Sequence, residues 1–200
     1  MMGLFKKYPL ISDQINAQEL EVVVQFATKS LQIDGDFVEF GCFLGTTSLF
    51  LSRLIGDDKN LWVYDSFEGL PDKTTQDESP AGFAFKKGEL LATKKQFILN
   101  YKKANLKLPI ITKAWFSDLQ AKDVPDKIAF AFLDGDYYGS IKTSLKLVAP
   151  KMVKNGFILV HDYGRVTLPG PKIAVSEFLQ CNNSFKLLKV QEHIGVIVAL

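Results

Sequence analysis

Two apolar runs in this chain end in groups that can hold a cation or move a proton. Residues 128–133 open into Asp134-Gly135-Asp136-Tyr137-Tyr138, and residues 156–160 open into His161-Asp162-Tyr163-Gly164. Uninterrupted apolar runs of this length read as strands buried on both faces. Acidic side chains at the ends of neighbouring parallel strands converge on the crevice where open α/β sheets bind ligands. We read this as a site, and as a metal site.

A second constellation lies earlier. Glu39-Phe40-Gly41-Cys42-Phe43-Leu44-Gly45-Thr46 follows a short strand and opens a helix, the context in which glycines let backbone amides approach a ligand closely. The spacing is not GxGxxG, and tight strand-to-helix turns need glycine for steric reasons about as often. Asp65, at the end of the next strand, strengthens the functional reading, because an acid there can accept hydrogen bonds from a ribose diol. Its bland reading, a turn or helix cap, has equal weight when Asp65 is taken alone.

The elements that must position these groups follow from periodicity. Asn16 and Glu19 form a capping box ahead of a helix running toward Gly35. Residues 36–40 predict a strand, 46–55 a helix and 61–64 a second strand. Residues 66–88, with Gly69, Pro71, Pro80 and Gly82 and little periodicity, predict a long lid-like loop, mobile without ligand and ordered with it. A helix over 89–106, strands over 108–112 and 128–133, a helix over 140–153, a strand over 157–160, a helix over 173–180 and two closing strands, 185–190 and 194–199, complete the chain. The expected fold is one α/β domain over 1–200, Rossmann-like and doubly wound, its mostly parallel seven-stranded sheet carrying an antiparallel C-terminal hairpin at one edge.

Composition bounds the rest. The chain has 200 residues, 47% hydrophobic content and a net charge of +2 with lysines spread along it, which excludes disorder and argues against a nucleic-acid partner. Cys42 and Cys181 make no disulfide framework and no metal-ligand spacing. No apolar run approaches a bilayer span and no leader-like segment is evident, so a soluble cytoplasmic protein with no membrane contact is expected. A homo-oligomer stays open.

These motifs resemble the macrocin/mycinamicin (TylF-type) O-methyltransferases of the class I methyltransferase superfamily. The resemblance rests on Glu39-x-Gly41-x-x-x-Gly45 with Asp65, and more narrowly on Asp65-Ser66-Phe67-Glu68-Gly69-Leu70-Pro71, Lys113-Ala114-Trp115-Phe116, Leu133-Asp134-Gly135-Asp136 with Tyr138 and Ser140, and Val160-His161-Asp162-Tyr163-Gly164. It covers roughly residues 36–180 in family order. It implies S-adenosylmethionine bound by Glu39, Gly41, Gly45, Thr46, Asp65, Ser66 and Phe67, with Trp115, Phe116, Ser117 and Asp118 near the adenine. It also implies a divalent metal, Mg2+ or Mn2+, held at Asp134, His161 and Asp162, with Asp134 and His161 as the catalytic candidates.

The implied acceptor is a sugar hydroxyl on a small molecule or glycan. A catechol-type enzyme and a non-catalytic cofactor-binding relative stand as alternatives. His161 departs from the family's aspartate. As a ligand it adds a nitrogen donor and shifts preference from Mg2+ toward Mn2+; as a general base it works near neutral pH; as a structural strand-end residue it does neither. Asp136 reads as a supporting acid or as the cap of the following helix, Cys42 as a small buried side chain and His193 as a turn residue. Ala114 in place of a glycine alters the adenine wall, and a divergent stretch over 165–172 leaves the acceptor pocket undefined.

Overall fold

A computed structural model describes residues 7–79, 81–82 and 85–200. Seven strands, β1 (Asp36–Phe40), β2 (Leu61–Asp65), β3 (Ile110–Lys113), β4 (Ile128–Leu133), β5 (Met152–Val160), β6 (Phe185–Gln191) and β7 (Ile194–Ala199), form one sheet in the order β3-β2-β1-β4-β5-β7-β6. The first five are parallel, and β7 runs antiparallel between β5 and β6. The hairpin turn is Glu192-His193, both at positive φ, so His193 is the turn residue its position suggested.

Alternation along the strands splits the core in two. Phe37, Val63, Phe130, Phe132 and Leu159 pack against helices α1 (Ala17–Ser30), α2 (Thr46–Ile55) and α3 (Lys94–Lys103). Val38, Phe40, Ala131, Leu133, Ile158 and Val160 pack against α4 (Tyr138–Val148) and α5 (Gly170–Cys181). Burial on both faces is why β4 is apolar at every position.

Several element bounds differ from the expected ones. Helix α3 begins at Lys94, not 89, because Thr93 and Gln96 form a capping box. Its expected end at 106 gives way to a turn in which Asn105 takes a positive φ. Helix α4 stops at Val148, five residues early: Pro150 lies in a 3-10 turn, Ala149–Lys151, after which the chain is already strand. Strand β5 therefore starts at Met152, with Asn155 at positive φ where its register against β4 shifts.

The segment 66–88 is tied down at several points. Leu70 exchanges backbone hydrogen bonds with Gly88 and Glu89, and Leu70, Tyr137 and Leu168 make a small buried cluster that Phe85 and Leu90 join. Asp77, buried in a 3-10 turn, accepts a hydrogen bond from the Tyr138 amide at 2.6 Å. The cap of α4 thus comes from the loop, 61 residues away; Asp136 does not supply it. Among the described residues no helix is long and apolar enough to cross a membrane.

Candidate active site

The sheet reverses its winding at β1, between β2 and β4, and the site lies at the C-terminal ends of these strands. The backbone ladder runs one step past each strand: Gly41 donates to Tyr64, Asp134 to Phe40 and His161 to Leu133. Those bonds fix the Cα positions of the reactive residues by sheet geometry rather than by loop conformation. Phe43, Phe67, Asp136 and Asp162, which surround the site, all adopt positive φ, backbone strain of the kind that clusters at functional sites.

On one side, the glycine turn wraps the carboxylate of Asp65. Its Oδ2 accepts from the amides of Cys42 at 2.8 Å and Phe43 at 3.2 Å, and its Oδ1 from Phe67 at 2.7 Å. Asp65 therefore shapes the turn, as its bland reading has it, while also lining the cavity. Gly41 is obligatory: φ is +85° and a Cβ would stand 1.9 Å from the Asp134 carbonyl oxygen. Gly45, at φ +92°, begins α2 against the ring of Phe97.

One cavity of about 420 Å³ is lined by Gly41, Asp65, Ser66, Trp115, Phe116, Ser117, Asp134, His161 and Asp162 among others. The remaining sequence candidates stand outside its wall. Phe67 and Thr46 are buried, and Asp118 is exposed beside Ser117. Glu39 lies beneath the turn, 1% exposed, and accepts a short hydrogen bond from Ser48. Phe116 meets Phe40 edge-on at 5.2 Å, so it is partly core as well as cavity wall. Cys42 is buried as expected.

Burial pushes the Glu39 carboxyl up to about 8, with Ser48 opposing and the nearby Asp134 and Asp65 charges adding to it. Unfolded, the group titrates at its ordinary value near 4.5. Its contribution to stability is thus complete below that value and is lost as pH rises through about 8. Between pH 6 and pH 9 the melting temperature of the native chain is expected to fall more than that of Glu39→Gln, by an amount equivalent to a few kcal/mol at most. Parallel thermal-melt profiles of the two proteins check this, and superimposable profiles would refute it.

On the other side, Asp134, His161 and Asp162 each offer one ligand atom, all within 4.8 Å of one another. His161 Nδ1 lies 2.8 Å from Asp134 Oδ1 and 3.3 Å from Asp162 Oδ2. The Asp134 side chain is 24% exposed and His161 only 3%. Burial resists charge on the imidazole, but the facing Asp134 and Asp162 carboxylates outweigh it and hold its pKa well above the ordinary value. Burial raises Asp134, with His161 opposing, and raises Asp136 strongly, with the Asp134 and Asp162 charges adding to the effect. Three carboxyls and an imidazole this close need either protons or a cation to hold them together.

Two residues of this cluster escaped the sequence reading. Glu19, seen there only as a capping acid, is 1% exposed and faces His161 Nε2 at 3.6 Å. Arg165 donates to Glu19 at 2.7 Å and pairs through Nε with Asp162. Position alone could not join residues 146 apart in the chain; the one available signal was a lone arginine three residues after Asp162.

The family model of the macrocin-O-methyltransferases (TylF) matches residues 10–197. The chain belongs to this family. A relative of the TylF-family chain, 8-demethyl-8-(2,3-dimethoxy-alpha-L-rhamnosyl)-tetracenomycin-C 4'-O-methyltransferase of Streptomyces olivaceus, is 28% identical over 140 residues, 66% of this chain and 54% of that protein. Demethyldecarbamoylnovobiocin O-methyltransferase of Streptomyces niveus is 27% identical over 158 residues, 73% of this chain and 58% of that protein. The chain thus spans a little over half the length of these relatives. Among solved structures, the O-methyltransferase NovP matches with a TM-score of 0.77 and 24% identity, covering 90% of this chain and 78% of that one. That likeness shows the fold, Rossmann-like with a mostly parallel sheet. The TylF assignment agrees with the motif order from Asp65 through Gly164.

Proposed function

We propose that this TylF-family chain is an S-adenosylmethionine-dependent O-methyltransferase acting on a sugar hydroxyl of a glycan or secondary metabolite, with a divalent cation at Asp134, His161 Nδ1 and Asp162. The observation that carries the reading is convergence. One cavity brings the Gly41 turn and Asp65 together with Asp134, His161 and Asp162, and its volume suits a small-molecule site.

The donor set fits a cation that accepts both oxygen and nitrogen. His161 turns Nδ1 toward the two carboxylates, which favours Mn2+ relative to an all-oxygen site. Bound there, a cation would act as a Lewis acid and lower the pKa of the acceptor hydroxyl. The chain's own residues do the rest. The Gly41 turn faces the amino-acid end, Asp65 accepts from the ribose diol, and Trp115 and Phe116 offer flat apolar surface for the adenine.

In the transfer, the acceptor oxygen forms a bond to the methyl carbon as the carbon–sulfur bond breaks. The electron pair stays on sulfur, leaving a neutral thioether. The hydroxyl proton passes to Asp134, whose carboxylate is the more open of the two strand-end candidates. His161, enclosed between carboxylates, serves as ligand rather than base. Gly69, Leu70, Pro71 and Phe85 of the loop line this cavity, and their apolar surface would keep water from the reacting groups.

Isothermal titration with S-adenosylhomocysteine, followed by acceptor profiling of deoxysugar nucleotides against catechols with Mn2+ and Mg2+, tests the proposal. No binding of S-adenosylhomocysteine would sink it, and transfer to catechols alone would replace the acceptor class. Asp65→Ala is expected to weaken cofactor binding about 10–100-fold, since it removes a charged acceptor and frees the amides of Cys42 and Phe43. An unchanged dissociation constant would remove Asp65 from the cofactor site.

A further inference from the structure

Among the described residues, His161 Nε2 is the buried side-chain atom left without a hydrogen bond. It faces the Glu19 carboxylate at 3.6 Å. The other ring nitrogen faces Asp134 and Asp162. An imidazole that ligates through Nδ1 must carry its proton on Nε2, and the group across from Nε2 decides whether that tautomer is favoured. Left to Asp134 and Asp162 alone, the neutral ring would keep its proton on Nδ1, where a carboxylate already waits at 2.8 Å, and the lone pair would point away from the cation.

Glu19 is held for this task from two directions. Its Oε2 accepts from the Asn16 amide at 2.9 Å, the capping box of α1. Its Oε1 accepts from Arg165 at 2.7 Å. Arg165 also engages Oδ1 of Asp162, which leaves Oδ2 turned toward His161. One guanidinium therefore orients a carboxylate on each side of the ring. A movement of about half an ångström brings Nε2 and Glu19 into hydrogen-bond range.

Resting on the metal reading above, we propose that Glu19, locked by Arg165, is a positioning residue that fixes the Nε2–H tautomer of His161 and presents Nδ1 to the cation. It touches neither substrate nor cofactor. Its role appears in this chain because His161, unlike an aspartate, has a second nitrogen that must be satisfied.

The test is a double-substitution cycle read as Mn2+ affinity by electron paramagnetic resonance on the whole chain. Glu19→Gln keeps a capping-box residue at the start of α1 but loses the charge that holds Arg165 and Nε2–H. In the native background it is expected to weaken Mn2+ binding about 10–100-fold. In the His161→Asp background the same change should leave affinity unchanged or tighter, because it then relieves two adjacent carboxylates. Equal losses in both backgrounds would show that Glu19 acts only through the fold, and no loss in the native background would overturn the proposal outright.

Failure of the native chain to bind Mn2+ or Mg2+ would instead overturn the metal reading and this proposal with it. Long-range proton–nitrogen correlation of the Mg2+-saturated native chain supplies a second readout that does not depend on His161→Asp binding metal. A His161 proton on Nε2 supports the assignment, and one on Nδ1 refutes it.

Discussion

Asp134→Asn is expected to lower the rate of methyl transfer by about 10³-fold or more while the protein stays folded. Asparagine matches the shape of aspartate, keeps an oxygen for His161, and leaves untouched the backbone bond from the Asp134 amide to Phe40 that sets its place. What it loses is the negative charge, and with it both the proton acceptor and an oxygen ligand. Because Asp134 is a raised carboxyl in a crowded acidic cluster, removing its charge should not cost stability, and the thermal midpoint is expected to stay within a few degrees. Initial rates at saturating S-adenosylmethionine and Mn2+, set beside thermal melts, check both halves. Near-native turnover would transfer the base role elsewhere; a collapsed melt would show that Asp134 is structural.

Gly41→Ala is expected to be the most damaging conservative change. The new Cβ would lie 1.9 Å from the Asp134 carbonyl oxygen and 2.9 Å from its carbon, and the backbone sits at φ +85°. Nothing flexible stands in the way that could yield, since the clash is with main chain at the end of β4. The turn and the strand must separate, which breaks the Asp65 contacts to Cys42 and Phe43 and moves Asp134 itself. A loss of about 3 kcal/mol or more is expected, read as a large drop in the urea midpoint or as insoluble expression. Gly56→Ala is the internal control: it too has positive φ, but a Cβ there meets nothing within 4 Å, so only backbone strain, about 1–2 kcal/mol, should be felt. Comparable losses at the two positions would mean that conformation alone, and not the approach of Asp134, makes Gly41 necessary.

What could be read from sequence was what is local. The β4 and β5 runs, their terminal acids, the glycine turn and the capping box of α1 each declare themselves within a few residues, although β5 begins at Met152, ahead of its apolar run. The bounds of α3 and α4 are set by Thr93, Gln96 and Pro150, local start and stop signals that apolar spacing alone overruns.

The failures of another kind are contacts no spacing can reveal. Asp136 reads from sequence as a supporting acid or as the cap of α4; the cap is Asp77, brought in by the loop, and Asp136 lines the cavity. Glu19 announced its cap and concealed its approach to His161, because the two meet only when α1 packs across the ends of β4 and β5. The outer wall of the cavity also resisted prediction. Leu168 and Arg165 sit in an aperiodic stretch whose course depends on where the loop lies.

The hydrogen bond from the Tyr138 amide to Asp77 has a consequence for how that loop can move. A Cβ on Gly170 would stand 2.1 Å from Asp77 Oδ1 and 2.5 Å from the Tyr138 amide nitrogen, so the carboxylate sits in a slot between the first turns of α4 and α5. Lifting the segment away therefore strips α4 of its cap, an interaction of about 1 kcal/mol, and exposes two helix starts together. Opening and helix fraying become one event. The resting position of the loop is a property of α4 and α5 as much as of its own sequence, and a hinge substitution far from Asp77 would be felt first as loosened amides at Tyr138.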